Sequence, residues 1–387
     1  MALTYYVYHG AEHTRFGHSL GVMHLVTKAF NSAIDNSNYE IEDAKRKWFE
    51  QILRLIALTH DLGHAPFSHA SEAVFPKDME HEDFTREIIL NTEIANIIKK
   101  IGAVFVEQYG EKYDISPELI SDIYMGKNPG PNCEFTFLKS FMDSELDCDK
   151  MDYLLRDSYY CGVNYGSFDI ERLLSSFTIC CNNNIPKLSI SSGGIQVFEE
   201  FVLARYFMFI QVYFHRTRRF FDIMLGDALK KILPEGTYPL DINAYLDWDD
   251  CKVLQLLKEN KDNYESCKNI INRIVYPRVC HTKVHPAEAD KREFKRNEKE
   301  LKKQLGEQYF IKDMSAGKMP HKIPLKVEKD HEQAILIYNI KTGRTTTISE
   351  ESEIIKTLTE KIDIISLYCN PEKSEEAFNI MKEINEE

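Results

Sequence analysis

Leu58-Thr-His-Asp-Leu-Gly-His64 is the stretch on which the fold turns. Ahead of it, Lys47 to Thr59 sets Trp48, Ile52, Leu55 and Ile56 at helical spacing, which predicts an amphipathic helix running into His60-Asp61. That dipeptide puts a neutral nitrogen ligand beside an anionic oxygen ligand. His60 and His64 are four apart, so a helix continued through them would show both on one face. Pro66 limits how far it runs.

Working outward, His18 lies upstream in His13-Thr-Arg-Phe-Gly-His18-Ser-Leu-Gly-Val22, and Asp149 lies downstream in Asp147-Cys-Asp-Lys-Met-Asp-Tyr153. Eight of the thirteen histidines fall in the first 81 residues, so imidazole is concentrated in one part of the chain. His18, His60, Asp61 and Asp149 together supply two imidazoles and two carboxylates. That set suits a divalent iron, manganese, zinc or magnesium ion, and it makes hydrolysis the natural reaction class.

Several neighbours admit two readings each. Arg15, three residues before His18, is a salt-bridge donor or a guanidinium aimed at an anionic substrate; its forked donors match phosphate oxygens. His81, before a predicted helix, is an exposed loop residue or a general acid oriented by Glu72. His64 and His69 add further imidazoles beside the pair. Asp149, Tyr153 and Asp157 are spaced i, i+4 and i+8, so one helix face offers a metal ligand, a ring to cover a sugar and a carboxylate for a sugar hydroxyl. Arg205, Phe209, Tyr213 and Arg216 share a face of a predicted helix from Glu199 to Leu233, either as plain core or as a bed for a polyphosphate.

The bulk numbers bound the rest. At 387 residues the chain has room for one large domain and a smaller one. A balance of 48 basic against 61 acidic residues gives −13, which speaks against a general nucleic-acid or membrane-surface binder. No apolar run reaches the length of a membrane span, and Met1 to Val22 has no signal-peptide layout. Nine scattered cysteines without a CxxC pair fit a reduced, cytoplasmic protein. The pattern predicts a mainly α fold. Residues 1–235 read as the helical core, with a small β-hairpin at 176–197, and 236–308 as a charged helical connector. Residues 309–387 read as a small α+β cap, with strands at Ile323 to Val327, Ala334 to Tyr338 and Thr345 to Ile348.

Arg15-Phe-Gly-His18-Ser-Leu-Gly-Val, His60-Asp-Leu-Gly-His-Ala-Pro-Phe-Ser-His69, His81-Glu and Asp147-Cys-Asp-Lys-Met-Asp-Tyr-Leu-Leu-Arg-Asp157 resemble the HD-domain deoxynucleotide triphosphohydrolases. These include bacterial enzymes and the vertebrate sterile-alpha-motif/HD-domain enzyme. The resemblance covers about residues 5 to 230 and implies a helical HD fold. It implies metal ligation by His18, His60, Asp61 and Asp149, and triphosphate contacts from Arg15, Lys150 and Arg205. It places His64, His69 and His81 around the α-phosphate, with Glu72 where the family usually has Asp. Tyr153 and Asp157 would hold the sugar, and Tyr213 would sit near base or sugar. The implied reaction is water attack at the α-phosphorus of a deoxynucleoside triphosphate (dNTP), releasing deoxynucleoside and inorganic triphosphate. The implied partners are a nucleotide activator and further copies of the chain, as a dimer or tetramer. The family's Gln-Leu pair, which excludes a 2′-hydroxyl, falls at or before Met1, so sugar selectivity and activation are not carried over. The residues also leave room for an HD phosphohydrolase of another nucleotide, and for a silent nucleotide-binding regulator.

Overall fold

The computed structural model describes residues 2–126, 134–182, 185–314, 319–323 and 334–386. Helix α1 (Arg15–Asp35) starts where Thr14 Oγ1 accepts the Gly17 N–H at 3.3 Å, a side-chain cap. Its buried face runs through Val22, Val26, Ala29, Phe30 and Ala33, the three- and four-residue spacing of a helix stripe. Helix α2 (Asp43–Thr59) brings Phe49, Ile52, Leu53 and Ile56 into the same core. Removing one ring there, as in Phe30→Ala, costs about 3–5 kcal/mol.

The helix does not continue past Thr59, so His60 and His64 do not share a helical face. His60 caps α2, and the chain turns, with the His64 N–H on the Asp61 carbonyl at 3.3 Å. Gly63 sits at the turn and lets another helix come close. A Cβ there would fall 2.0 Å from the His81 carbonyl oxygen and 2.3 Å from the Thr85 nitrogen. This close approach docks α3 (His81–Asn91) on the end of α2. The Gly63 N–H donates to Thr85 Oγ1 at 2.9 Å, and that hydroxyl donates to the His60 carbonyl at 3.1 Å. His81 is thus the first residue of a helix.

Helices α4 (Glu93–Tyr109), α5 (Pro117–Tyr124) and α6 (Glu134–Ser140) lead to α7 (Cys148–Cys161). The Asp147 carboxylate accepts the Lys150 N–H at 2.8 Å and sets where α7 begins. After α8 (Ile170–Ser175), strands β1 (Phe177–Asn182) and β2 (Ile185–Ser191) pair antiparallel, with Phe177 opposite Ile190.

The single long helix predicted from Glu199 to Leu233 is broken. Helix α9 (Ile195–Met208) runs into a π turn at Phe209–Tyr213, and α10 (Arg216–Ile232) starts after an extended His215. Arg205 still lies over the Phe209 ring and Phe209 meets Tyr213 edge-on at 5.2 Å, while Arg216 now opens the next helix. Arg218 donates to the Tyr213 carbonyl that the break frees. Helices α11 (Ile242–Leu246), α12 (Asp250–Glu259) and α13 (Glu265–Ile271) follow, and residues of all three join Phe220, Phe221 and Leu225 of α10 in a second apolar cluster.

Strand β3 (Arg278–His281), helix α14 (Glu288–Leu305), β4 (Phe310–Met314), β5 (Leu336–Asn339), β6 (Arg344–Thr347), β7 (Ile365–Cys369) and the helix Ser374–Glu386 complete the chain. Two sheets cross the boundaries predicted at 235 and 308. One runs β1-β2-β5-β6, with β2 and β5 parallel and Ile190 opposite Ile337. The other runs β3-β7-β4, so the predicted connector supplies a strand. The free edge of β2 offers unpaired backbone groups, and a distant strand satisfies them. The predicted strand Ile323 to Val327 falls, apart from Ile323, outside the described residues.

Candidate metal centre and active site

The end of α2, the start of α1 and the first turn of α7 meet at one cluster. His18 Nε2 lies 2.9 Å from Asp149 Oδ1 and 3.7 Å from Asp61 Oδ2. His60 Nε2 lies 3.3 Å from Asp61 Oδ1 and 3.5 Å from Asp149 Oδ1. Both rings present Nε2 because Nδ1 is engaged behind them. His18 Nδ1 is 2.7 Å from Asp152, and His60 Nδ1 is 2.9 Å from the Ala57 carbonyl. Backing of this kind fixes the tautomer of a metal-ligating histidine. The His60 carbonyl accepts from Tyr124 at 2.9 Å as well as from Thr85.

Charge and orphaned atoms test whether a cation fits. His60 Nε2 is buried without a hydrogen-bond partner among the described residues. One ligand atom each of His18, His60 and Asp149 lies within 4.8 Å of the others. Burial would lower the His18 pKa, but hydrogen bonds to Asp149 and Asp152 outweigh it and raise it to about 10. The Asp61 carboxyl is held well below its usual range: burial opposes this, and His60, His64 and Arg15 overcome it. Three carboxylates facing two imidazoles hold a positive charge tightly, and a divalent cation answers the same field.

A second group adjoins the first. Glu72 Oε1 lies 3.2 Å from His64 Nδ1, 2.7 Å from His69 Nδ1 and 3.4 Å from His81 Nδ1. The His64 and His81 rings stack with centroids 3.9 Å apart. His64 joins the two groups, since its Nε2 is 3.4 Å from Asp61 Oδ1. His69 is mostly exposed. Burial would raise the Glu72 pKa, yet hydrogen bonds from His64 and His69 hold it well below the usual carboxylate value. Burial, then His64, push His81 down to about 4. His81 is therefore uncharged near neutral pH in this arrangement. The loop between the groups is strained: Phe67 and Ser68 have φ of 61° and 58°. The Asp250 side chain holds this loop by accepting the Phe67 N–H at 2.9 Å.

The cationic residues are placed differently. Arg15 donates to Asp61. Lys150 donates to Asp147 and, at 2.9 Å, to the Ser144 carbonyl. Arg205 is buried and donates to Glu145 and to the Pro320 carbonyl, both at 3.0 Å. Tyr213 donates to Asp157 Oδ2 at 2.8 Å, and its ring meets Tyr153 edge-on. Sequence reasoning missed Glu145, His13 and the role of Asp152. Asp152 was legible as i+3 from Asp149; nothing local marks Glu145 as the partner of a residue sixty positions on.

The helices and this ring of histidines and carboxylates define a protein of the HD class. Residues 15–126 match the HD domain family, and residues 168–384 match the HD associated region. The chain belongs to this HD-domain family. It is 29% identical to the uncharacterized protein YwfO of Bacillus subtilis over 93% of its own length and 82% of that protein. It is 28% identical to the deoxynucleoside triphosphate triphosphohydrolase SAMHD1 homolog of Dictyostelium discoideum over 70% of its length, spanning about half (51%) of that protein. A hypothetical protein from Aquifex aeolicus has the same fold, with a TM-score of 0.77 and 28% identity over 98% of this chain and 90% of that one. Among the described residues no helix is long and apolar enough to cross a membrane.

Proposed function

We propose that this chain hydrolyses deoxynucleoside triphosphates to deoxynucleoside and inorganic triphosphate. The order of groups along α7 carries the reading. Asp149 stands in the His–Asp cluster, Lys150 follows, Tyr153 comes one turn on, and Asp157 comes two turns on. At 1.5 Å per residue, about 12 Å separates the first from the last, a span that suits a phosphate at one end and a sugar at the other. Kinship with the Dictyostelium triphosphohydrolase supports the same substrate.

In this reading water adds to the α-phosphorus, the bond from phosphorus to the 5′-oxygen breaks, and that oxygen leaves with a proton. His18, His60, Asp61 and Asp149 would hold a divalent cation, which would supply Lewis acidity toward water and the phosphoryl oxygen. Arg15, fixed on Asp61, turns its remaining donors to the α-phosphoryl oxygens. Lys150 and Arg205 exchange Asp147, Glu145 and the Pro320 carbonyl for phosphate oxygens. His81, oriented by Glu72, protonates the leaving oxygen. It is neutral at pH 7 in the free chain, and a bound polyanion raises its pKa and loads the proton. His64 and His69, on the same carboxylate, order the rest of the α-phosphate. Tyr153 and Tyr213 flank the sugar, and Asp157 accepts its hydroxyl.

Product analysis tests this. Purified chain with a dNTP and Mn²⁺, Fe²⁺ or Mg²⁺ should yield deoxynucleoside and intact triphosphate in equal amounts by anion exchange. Pyrophosphate or orthophosphate as the only inorganic product would make it a phosphohydrolase of another kind. Nucleotide binding without product would make it a regulator. We place the reaction in the cytoplasm, because all eight described cysteines are free. We also propose a homo-oligomer, because Phe16 on α1 and Tyr159 on α7 expose large apolar rings. Light scattering of the purified chain decides the second point.

A further inference from the structure

His13 stands just ahead of α1, and its Nε2 lies 2.7 Å from Asp157 Oδ1. Both side chains are about nine-tenths buried. The imidazole stacks on Tyr160, one turn beyond Asp157 on α7, with centroids 4.6 Å apart and planes at 29°. The approach is built into the backbone. A Cβ at Gly10 would fall 2.5 Å from the Tyr160 carbonyl oxygen, so only glycine lets the loop before His13 lie this close to α7. The other carboxylate oxygen, Oδ2, accepts from Tyr213 at 2.8 Å. Asp157 is thus held from both sides by donors on distant segments.

A carboxylate so held is not used up. An ionised carboxylate offers about four lone-pair directions, and His13 and Tyr213 take one on each oxygen. The remaining directions accept from a ligand hydroxyl without the side chain having to find its rotamer on binding. His13 Nδ1 is buried and has no hydrogen-bond partner among the described residues. Among the described residues, Asp157 is the hydrogen-bond partner of the ring and Tyr160 its stacking partner.

We infer that His13 is the residue that positions Asp157 to recognise the 3′-hydroxyl of the nucleotide sugar. The inference rests on the proposed orientation, with the sugar at the Asp157 end of α7. Among the described residues His13 bonds Asp157 and stacks on Tyr160, and it has no hydrogen bond to His18, His60, Asp61 or Asp149. Its removal therefore acts on sugar recognition and leaves the chemical step alone.

The test compares a deoxynucleoside triphosphate with its 3′-deoxy counterpart, by steady-state KM and by equilibrium binding. Wild type should favour the 3′-hydroxyl. His13→Ala should weaken the hydroxylated ligand about 10–100-fold, the size of a lost hydrogen bond to a charged group, and leave the 3′-deoxy ligand within about 2-fold. The preference then collapses while kcat is kept. His13→Gln, whose amide Nε2–H can reach Asp157, should restore most of it while keeping the loop filled. Circular dichroism and bound metal should match wild type in both variants. Equal losses on the two ligands, or no rescue by glutamine, would reduce His13 to a packing residue. Equal wild-type affinity for the two ligands would overturn the inference even if triphosphate were released. If wild type binds nucleotide without hydrolysing it, the proposed reaction fails, and the binding comparison still decides the role of His13.

Discussion

The two ends of the charged site are built on opposite plans. At the His–Asp end, ligand atoms of four residues converge, with Arg15 on Asp61 the cation that reaches them. His60 Nε2 has no partner, and three carboxylates crowd His18. At the cationic end every charge is already answered from within. Lys150 is paired with Asp147, and Arg205 with Glu145 and the Pro320 carbonyl. The first end is preorganised for a cation. The second, in the proposed reaction, opens only to an anion strong enough to replace carboxylates. On the proposed function, a monophosphate would bring too few oxygens to displace two buried pairs, whereas a triphosphate would offset the exchange at several contacts.

The contrast breaks most completely at the His–Asp end. Asp61→Ala or Asp149→Ala should leave the helical circular dichroism in place, strip the metal measured by mass spectrometry, and take turnover below detection. Full metal content with wild-type rate in either variant would refute the ligand set.

His81→Ala comes next. It should keep metal and nucleotide binding and lose about 10²–10⁴-fold in kcat, the usual range for proton transfer. Glu72→Ala should show a smaller loss of the same kind. A metal-free His81→Ala protein would instead make His81 a ligand.

At the cationic end the paired state itself can be tested. Arg205→Ala should raise KM for a triphosphate far more than for a small phosphodiester, by about 10–100-fold. It should also lower Tm, because it strands Glu145 as a buried charge, a loss of about 3–5 kcal/mol. Glu145→Gln should do the reverse and lower KM for the triphosphate a few-fold, as it loosens the hold on Arg205. If neither variant separates the two substrates, Arg205 only packs α9.

The smallest effect belongs to His321, next to the carbonyl that Arg205 holds. Its Nδ1 accepts the Ile323 N–H at 3.2 Å, and its Nε2 lies 3.0 Å from the Ile355 carbonyl, so the neutral ring satisfies both. Burial lowers its pKa. The unfolded chain therefore takes up the proton first. The stability this residue contributes is complete above about pH 6.5 and is lost as pH falls through the folded value. Tm should decline between pH 7 and 5.5 more in wild type than in His321→Gln. Parallel curves would remove His321 from the account.

Local spacing made much of this legible. Trp48, Ile52, Leu55 and Ile56 mark α2, and Val22 to Ala33 mark α1, because a helix turns every 3.6 residues whatever it packs against. His18, His60, Asp61 and Asp149 could be picked out because their types suit one another. The errors came where a distant contact overrode a local pattern. The stripe from Glu199 to Leu233 has helical spacing throughout, yet a π turn at Phe209–Tyr213 breaks it. The hairpin at β1–β2 looked complete, and β5 extended it.

The sequence by itself determined the helical class, the residue types of the His–Asp cluster and the run of groups along α7. These follow from short-range periodicity and ligand chemistry. Only the tertiary structure decided which carboxylates the cations pair with. Lys150 and Arg205 entered the sequence reading alike, as cations that the resemblance turns toward a triphosphate. Their buried partners lie three and sixty residues away, and burial, which makes an unpaired charge so costly, is a property of the packed chain alone.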